Sequence, residues 1–259
     1  MKITYTSALA LSLAATTSYA ETARDVINGY SDLALAKYTD SLTTAQTLDA
    51  AIQAFVAAPS AQTHQAAKEA WLASRVPYQQ TEAYRFGNVV VDEWEGKVNA
   101  WPLDEGLIDY VDGSFYGEES EENNFFRANV VANASLNVAG QSVDASAITP
   151  ALLEELHEID GIEANVATGF HAIEFLLWGQ DLNGNGAGAG NRPASDFDTA
   201  NCTNGNCDRR AEYLKVATDL LVDDLKWMAA QWEKGGEAYA SLVDVDKKQS
   251  LIAMLTGMG

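Results

Sequence analysis

The stretch that decides the fold is GFHAIEFLLWG, residues 169–179, an apolar run that contains one imidazole and one carboxylate. In a helix, positions i and i+3 lie on one face, so His171 and Glu174 are expected to point the same way. A carboxylate buried in such a helix needs partners, because burying it alone is costly. The pair therefore either makes hydrogen bonds within the core or holds a ligand.

Outward from this run, the apolar pattern is helical along most of the chain. Apolar residues recur every three or four positions from residue 22 to Pro59, with Val26 and Leu33 in the repeat. Further helices are predicted at residues 60–86 with a kink at Pro77, 151–158 after Thr149 and Pro150, 162–178, 208–232 and 247–255. No alternating strand pattern is found, which predicts an all-α antiparallel helical bundle.

Two intervening stretches are harder to assign. Residues 87–110 contain several Gly and Pro breakers and predict a long ordered loop. Long loops of this kind usually pack over a site or line one, and this loop carries Trp101, Asp104 and Glu105. Residues 125–138 are expected to add a short helix.

The first twenty residues have the features of a secretory signal peptide. Lys2 is their only charged residue, an apolar stretch covers residues 8–15, and small residues at Ser18 and Ala20 suit a cleavage site. The apolar stretch is too short to span a membrane as a stable helix. We expect cleavage before Glu21 and a soluble, exported protein of residues 21–259 that is not an integral membrane protein.

The chain is strongly acidic, with 16 Lys and Arg against 37 Asp and Glu and a formal net charge of −21. This balance argues against nucleic acids and anionic membrane surfaces as partners. It is compatible with cation binding, but solubility explains an acidic surface equally well.

The two cysteines, Cys202 and Cys207, are separated by four residues. In an oxidising compartment this spacing favours a disulfide that closes a small loop. A thiolate metal site would need further Cys or His residues nearby, and the sequence offers none.

The His171 and Glu174 pair is a candidate metal site, since Glu and His side chains on facing helices of a bundle often hold metals. A buried His–Glu pair that only satisfies itself is common, and on spacing alone it is the favoured alternative. Glu82 is the first choice for a third ligand, and Asp104 and Glu105 are weaker choices. Arg85, one turn after Glu82, is a further candidate for lining the site. An imidazole with several carboxylates suits iron, with zinc less favoured.

The other two histidines, His64 and His157, are predicted to lie on the surface, because their surroundings are polar or acidic. Asp181, Asn183 and Asn185 resemble the start of a calcium-binding loop, but the twelfth position is Arg192 instead of the required Glu. An ordered turn is therefore favoured over calcium. Neither a nucleophile elbow nor the HExxH motif of zinc peptidases is present, so no catalytic residue is assigned.

The motif Gly169-x-His171-x-x-Glu174 resembles that of the imelysin family, iron-regulated exported proteins also classed as peptidase family M75. Three further blocks are similar to the family: PYQQTEAYRFG at residues 77–87, WPLDEG at 101–106 and WGQDLNG at 178–184. Together the matches span about residues 70–190.

The resemblance implies an all-α fold of two helical-bundle halves with the His171 and Glu174 site near their junction. It also implies export to the periplasm or outer cell surface, a role in iron acquisition with iron-transport components as partners, and Glu82 as an additional ligand. Family members look longer than this chain. The second half, beginning at about residue 208, is therefore expected to be incomplete at Gly259.

Three functions remain open on this basis. The first is binding of a metal, iron above all, in iron uptake or handling. The alternative is a metal-dependent peptidase in which Glu174 or Glu82 acts as a general base on metal-bound water. The third is a structural module in which His171 and Glu174 merely satisfy each other.

Overall fold

The computed structural model describes residues 22–117, 120–138 and 140–259, and the predicted signal peptide lies outside them. The helices are α1 (Ala23–Ala57), α2 (Ala61–Gln79), α3 (Val89–Asn99), α4 (Glu105–Ile108), α5 (Gly113–Tyr116), α6 (Pro150–Leu156), α7 (Gly169–Trp178), α8 (Cys207–Gln231), α9 (Glu237–Val243) and α10 (Lys247–Met258). Strands β1 (Ser135–Val138) and β2 (Gln141–Asp144) form one antiparallel hairpin, with Leu136 opposite Val143. The predicted all-α fold is confirmed.

Four helices form the central bundle. Helix α1 packs along α2 and α8, and α7 packs against α2 and α8, so the four contacts close a ring. Helix α8 covers the region where the sequence analysis begins a second half, and it packs within this same bundle.

The seam between α1 and α2 follows a strict alternation of three and four residues. The buried positions of α1 are Ile27, Ser31, Ala34, Tyr38, Ser41, Ala45, Leu48, Ile52 and Phe55, and those of α2 are His64, Ala67, Trp71, Ser74 and Tyr78. This spacing is typical of long helices that pack nearly antiparallel. Val26 and Leu33 lie off the seam and are 40% and 58% exposed. The small residues among the buried positions, such as Ser31, Ala34 and Ala45, let neighbouring helices approach closely.

Helix α2 begins where the sequence predicts and ends earlier. Ser60 and Thr63 form a reciprocal capping box at its start. Pro77 lies in the last turn, and the chain leaves the helix at Gln79 to form a short 3-10 turn, Glu82–Tyr84. The predicted helix to residue 86 is therefore too long.

Helix α3 lies inside the segment that was predicted to be a long loop. It buries Val91, Trp94 and Val98 on one side. Tertiary packing of this face stabilises a helix whose β-branched start and internal glycine disfavour it locally. The predicted loop is thus wrong for residues 89–99. The predicted helix at 125–138 is also wrong, because this segment consists of turns and irregular backbone that lead into β1.

The central helix begins at Gly169, seven residues later than predicted. Gly169 has φ +80°, and a Cβ atom at this position would lie 2.4 Å from the carbonyl oxygen of Val98. Only glycine fits both conditions, so this residue brings α7 into close contact with α3. The preceding residues run extended through Val166 and Thr168 instead of continuing the helix.

The prediction of a surface position is wrong for His64, and His157 is more buried than predicted. His64 is 5% exposed, stacks on Phe55 and places Nε2 2.7 Å from the carbonyl oxygen of Leu177, and burial lowers its pKa to about 4. His157 is half-buried, with Nδ1 3.1 Å from the hydroxyl of Thr168. His64 is enclosed by residues of α1 and α7, which a polar local sequence does not reveal.

Within the part of the chain that is described, no helix combines the length and the apolar character that crossing a membrane requires.

Candidate functional site

His171 and Glu174 of helix α7 line a cleft of about 450 Å³. Helix α7 forms one wall, α2 a second, and the loops before α4 and after α7 the remaining sides. We call it the His171 cleft; its lining residues are Trp71, Leu72, Trp101, Leu103, Glu105, His171, Glu174, Phe175, Trp178, Gly179, Asp181, Gly188, Ala189 and Gly190. It therefore joins three of the blocks that the sequence analysis singled out.

His171 and Glu174 share a helix face, as predicted. Nδ1 of His171 lies 2.9 Å from Oε2 of Glu174. The side chains are 16% and 40% exposed, so the pair lines an open cleft and is not enclosed in the core. When Nδ1–H donates to the carboxylate, the other ring nitrogen, Nε2, is left as the acceptor or ligand nitrogen.

Tryptophans supply the apolar surface of the cleft. The rings of Trp71 and Trp178 meet edge to face at 5.3 Å, and the ring of Trp101 lies 5.1 Å from that of His171. The indole N–H of Trp71 donates to the carbonyl oxygen of Phe170 at 2.9 Å, which ties α2 to the start of α7. Trp101 is 69% exposed and covers the imidazole from the solvent side.

Glu105, named as a weaker candidate, lies in this cleft. Burial raises the pKa of its carboxyl to about 7, Arg192 opposes the rise, and the carboxylates of Asp181 and Glu174 add to it. Three acidic side chains thus interact electrostatically around one imidazole. A cation bound among them would favour the charged form of Glu105 and lower this pKa.

Behind the cleft lies an ion network that is almost completely buried. Arg192 contacts Asp109 at 2.6 Å and Asp196 at 3.5 Å, and Arg210 contacts Asp109 at 2.5 Å. Gly179 joins the two regions, since a Cβ atom there would lie 3.1 Å from Cβ of Arg192. The network therefore fixes the backbone that follows α7 and forms one edge of the cleft.

The remaining predicted site residues lie elsewhere. Glu82 is exposed in the 3-10 turn after α2 and does not line the His171 cleft. Asp104 accepts hydrogen bonds from Asn123 at 2.5 Å and Tyr116 at 3.3 Å, which is a structural role. Arg85 forms ion pairs with Asp92 and Glu95 at 3.1 and 3.0 Å.

The types of donor in the cleft, an imidazole and carboxylates, suit iron. The donor side chains lie farther apart than the ligands of a closed metal site. Among residues 22–117, 120–138 and 140–259, no three His, Cys, Asp or Glu side chains lie close enough together to hold one ion. An ion in the cleft would therefore need donors from another molecule or movement of the loops.

The segment that resembles a calcium loop is an ordered turn. Oδ1 of Asp181 accepts from the backbone N–H of Asn183 at 2.8 Å and from its side chain at 2.6 Å. The sequence analysis treated Asp181 and Arg192 only as parts of this loop and missed that one lines the cleft and the other lies behind it. The WGQDLNG block was the signal that could have linked Asp181 to the motif of α7.

The predicted disulfide between Cys202 and Cys207 is present and joins the start of α8 to the loop before it. The same loop supplies Thr203 and Asn204, which donate to Oδ1 of Asp196 at 2.7 and 2.8 Å. The disulfide thus closes the loop that surrounds one end of the buried ion network.

Comparisons with known proteins agree with the resemblance to the imelysin family. A family model described as peptidase M75, imelysin, matches residues 34–259. The chain is 32% identical over 79 residues to iron-regulated protein A of Synechococcus elongatus, a match that covers 30% of this chain and 22% of that protein.

A crystal structure of a candidate iron-regulated protein A precursor from Parabacteroides distasonis superposes with a TM-score of 0.59 at 22% identity. The match covers 93% of this chain and 58% of that one. At this identity the likeness concerns the fold. The chain spans less than two thirds of the length of either relative.

Proposed function

Because the chain belongs to the imelysin family, whose model matches residues 34–259, we propose that it is an exported protein of iron handling. The His171 cleft is its binding site, and iron or an iron-containing ligand is what it binds. The name of the Synechococcus relative, an iron-regulated protein, supports a role connected with iron.

The observation that carries this proposal is the 2.9 Å hydrogen bond between Nδ1 of His171 and Glu174. Histidines that bind metals usually donate their second N–H to a carboxylate or carbonyl, which fixes the tautomer and makes the ring a better ligand. In this arrangement Nε2 of His171 is the ligand atom, and Glu174 orients the ring. Trp101 shields the imidazole on its exposed side.

The carboxylates of Glu105 and Asp181 give the cleft its preference for a cation. Hard ions such as ferric iron favour carboxylate oxygens together with an imidazole. Since the described residues contain no ready group of three donors, the proposed ligand is iron that keeps part of its own coordination, such as a small iron chelate. A cleft of about 450 Å³ walled by tryptophans has room for such a species.

Glu82 remains a predicted ligand that needs its own test. It lies outside the His171 cleft, on an exposed turn. If Glu82 serves the same site, Glu82→Gln should weaken iron binding as much as a change within the cleft does. An unchanged affinity would assign the binding to the cleft residues alone.

Export is proposed on two grounds. The sequence of residues 1–20 has the pattern of a signal peptide. The disulfide between Cys202 and Cys207 suits an oxidising compartment such as the periplasm or the outer cell surface. Partners in iron transport would meet the protein there.

The test is a calorimetric titration of residues 21–259 with ferric citrate, alongside His171→Gln. We expect binding of one iron per chain, and an affinity at least about tenfold lower for the variant. Glu163→Gln, which removes an exposed carboxylate outside the cleft, is the control and should bind like the parent. Equal binding by the parent and His171→Gln would contradict the proposal.

A metal-dependent peptidase is the second candidate, favoured by one feature of the cleft. The carboxylate of Glu105 lines the same cleft as His171, which places a candidate general base beside the imidazole. Incubation with unfolded casein, with and without a chelator, separates the two functions. Cleavage that the chelator abolishes and that Glu105→Gln lacks would support the peptidase; intact casein would leave iron binding as the function.

A further inference from the structure

A second groove lies apart from the His171 cleft, between α3, α6, α8 and α9. It consists of two cavities of about 610 and 290 Å³ that share Lys97, Glu154, Leu220 and Asp224. We call it the α3–α8 groove; its other lining residues are Val90, Glu93, Trp94, His157, Thr168, Asp223, Trp227 and Glu237. It shares no lining residue with the His171 cleft.

The groove is strongly acidic. Five carboxylates line it, on four different helices, against the single ammonium of Lys97. Burial lowers the pKa of His157, so this side chain adds no positive charge at neutral pH. The groove therefore attracts a cation, and its low-dielectric walls strengthen that attraction.

The spread of the carboxylates argues against a metal ion. No three of them lie close enough for one ion, among the residues that the structure describes. A larger ligand, with a cationic group and further length, can contact several of them in turn. The two cavities share four lining residues, so one ligand can extend from one cavity into the other.

Two tryptophans give the groove an apolar, aromatic surface. Trp227 is 44% exposed although it is large and apolar, and Trp94 and Leu220 form the surface beside it. A guanidinium or ammonium group is attracted to the face of an indole ring, and its methylene groups pack on apolar side chains. Aromatic faces beside carboxylates thus suit an organic cation better than a hydrated ion.

The indole N–H of Trp94 points to a further property of the ligand. Trp94 is only 4% exposed, and its Nε1 has no hydrogen-bond partner among the described residues. It lies beside the Asp224 carboxyl on the groove wall and lowers the pKa of that carboxyl through a weak hydrogen-bonding contact, which does not have the geometry of a full hydrogen bond. A buried donor that is held only by such a weak contact is incompletely satisfied, which is costly. A ligand that carries a carbonyl oxygen would satisfy it.

We propose that the α3–α8 groove binds a basic peptide. A Lys or Arg side chain of the peptide pairs with the carboxylates and lies against Trp227, while a peptide carbonyl accepts from Trp94. This site is separate from the proposed iron site.

Binding at this groove depends on pH. Burial raises the pKa of Asp224 to about 6, with Glu154 and Asp223 adding to the rise and Lys97 opposing it. Glu93, Glu237 and His157 complete the titratable groups of the groove. A bound cation favours the ionised form of Asp224, so affinity should increase as pH rises through about 6.

The experiment uses Ac-Gly-Arg-Gly-Arg-Gly-NH2 as the probe, with a second peptide in which both Arg residues are replaced by neutral citrulline. Binding to residues 21–259 is followed by tryptophan fluorescence and by the indole N–H signals in NMR spectra. Three variants are compared with the parent after circular dichroism and thermal melting establish their folding: Glu154→Gln, Asp224→Asn and Trp94→Phe. Glu155→Gln, on the same helix as Glu154 but outside the groove, is the matched control.

We expect the arginine peptide to bind at least about tenfold more tightly than the citrulline peptide, because the charge contacts are lost in the latter. Glu154→Gln and Asp224→Asn should weaken binding by about two- to tenfold, and Trp94→Phe by about fivefold through the lost hydrogen bond. Glu155→Gln should bind like the parent.

The proposal is overturned if the arginine peptide does not bind at millimolar concentration, or if the citrulline peptide binds equally well. It is also overturned if all the groove variants bind the arginine peptide as tightly as Glu155→Gln does. If a variant unfolds, the displacement of the Trp94 indole signal in the parent decides the question, since it must move with the arginine peptide. Competition by millimolar calcium with loss of that displacement would assign the groove to inorganic cations instead. Iron binding by the His171 cleft is measured separately and is unaffected by any of these outcomes.

Discussion

The buried ion network and the His171 cleft adjoin each other at Arg192, and they differ in how their charges are balanced. In the ion network, the side chains of Asp109, Asp196, Arg192 and Arg210 are at most 1% exposed, and each acid is paired with at least one guanidinium. In the His171 cleft, three carboxylates surround an imidazole, and one of them has its pKa raised to about 7. The first region balances its own charge, and the second gathers negative charge that a cation can balance.

The difference separates a structural role from a binding role. Buried charges that are fully paired hold loops in place, and the loss of one partner leaves the others uncompensated. Carboxylates whose pKa values are shifted by one another, in an open cleft, are typical of functional sites. Changes in the network should therefore affect stability first, and changes in the cleft should affect binding first.

The largest effect is expected from Asp109→Asn. This carboxylate contacts both Arg192 and Arg210, so the substitution leaves two buried guanidinium groups with too little negative charge. We expect a loss of about 3–5 kcal/mol in the free energy of unfolding, measured by urea denaturation. Asp92→Asn, which removes the exposed partner of Arg85, is the control and should cost less than about 1 kcal/mol. Similar losses for both variants would contradict the distinction between the two kinds of ion pair.

Glu174→Gln tests the other side of the comparison. The amide oxygen of Gln can accept only a neutral hydrogen bond from His171, so the ring is held less firmly and the imidazole becomes a weaker ligand. We expect iron affinity to fall about 10- to 100-fold, since partners of metal-binding histidines have effects of this size. The urea midpoint should stay close to that of the parent, because Glu174 is 40% exposed. A large loss of stability with unchanged iron affinity would make the pair a structural contact.

Removing the disulfide should lower the stability of the ion network and leave iron binding in the His171 cleft nearly unchanged. Replacing Cys202 and Cys207 together by Ser opens the loop that holds Asp196 through Thr203 and Asn204. Without the cross-link the unfolded chain regains conformational entropy, and this predicts a loss of about 2 kcal/mol in the free energy of unfolding. Iron titration of the same variant should give the parent affinity. A strong loss of iron binding would mean that the two regions are coupled.

The smallest effect is expected in the pH dependence of stability at Glu105. Its folded pKa of about 7 lies above the ordinary value of 4.5, so its protonated form stabilises the fold fully below that value, and this contribution is lost as pH rises through about 7. Glu105→Gln should therefore be more stable than the parent by roughly 1 kcal/mol at about pH 8, after allowance for solvent screening. The two should be nearly equal at about pH 4. Parallel stability curves across this range would contradict the raised pKa.

The sequence predicted the helices of the bundle better than the segments that join them. The helix starts at Ser60 and Thr149 were recognisable because capping residues act locally. Helix α3 and the late start of α7 depend on the contact between Gly169 and Val98, which are 71 positions apart. Contacts of that range leave no periodic pattern in either segment. The hairpin of β1 and β2 is similarly too short to show an alternation.

Within the candidate site, the sequence predicted the pair on α7 and the presence of a loop residue, Glu105. It did not predict that Asp104, the neighbour of Glu105, would turn away to Asn123 and Tyr116. It also missed Asp181, because its side chain was expected to serve only a local turn. A cleft formed by three separate segments depends on how they pack, and adjacent residues in a loop can face opposite directions.

The measurement that tests the central claim most directly is X-ray absorption spectroscopy of the iron-loaded protein, for the parent and His171→Gln. The account predicts scattering from one imidazole ring in the parent and its loss in the variant, with carboxylate oxygens seen in both. An unchanged imidazole signal in His171→Gln, or a parent spectrum with no imidazole at all, would place the iron elsewhere and contradict the assignment of the His171 cleft.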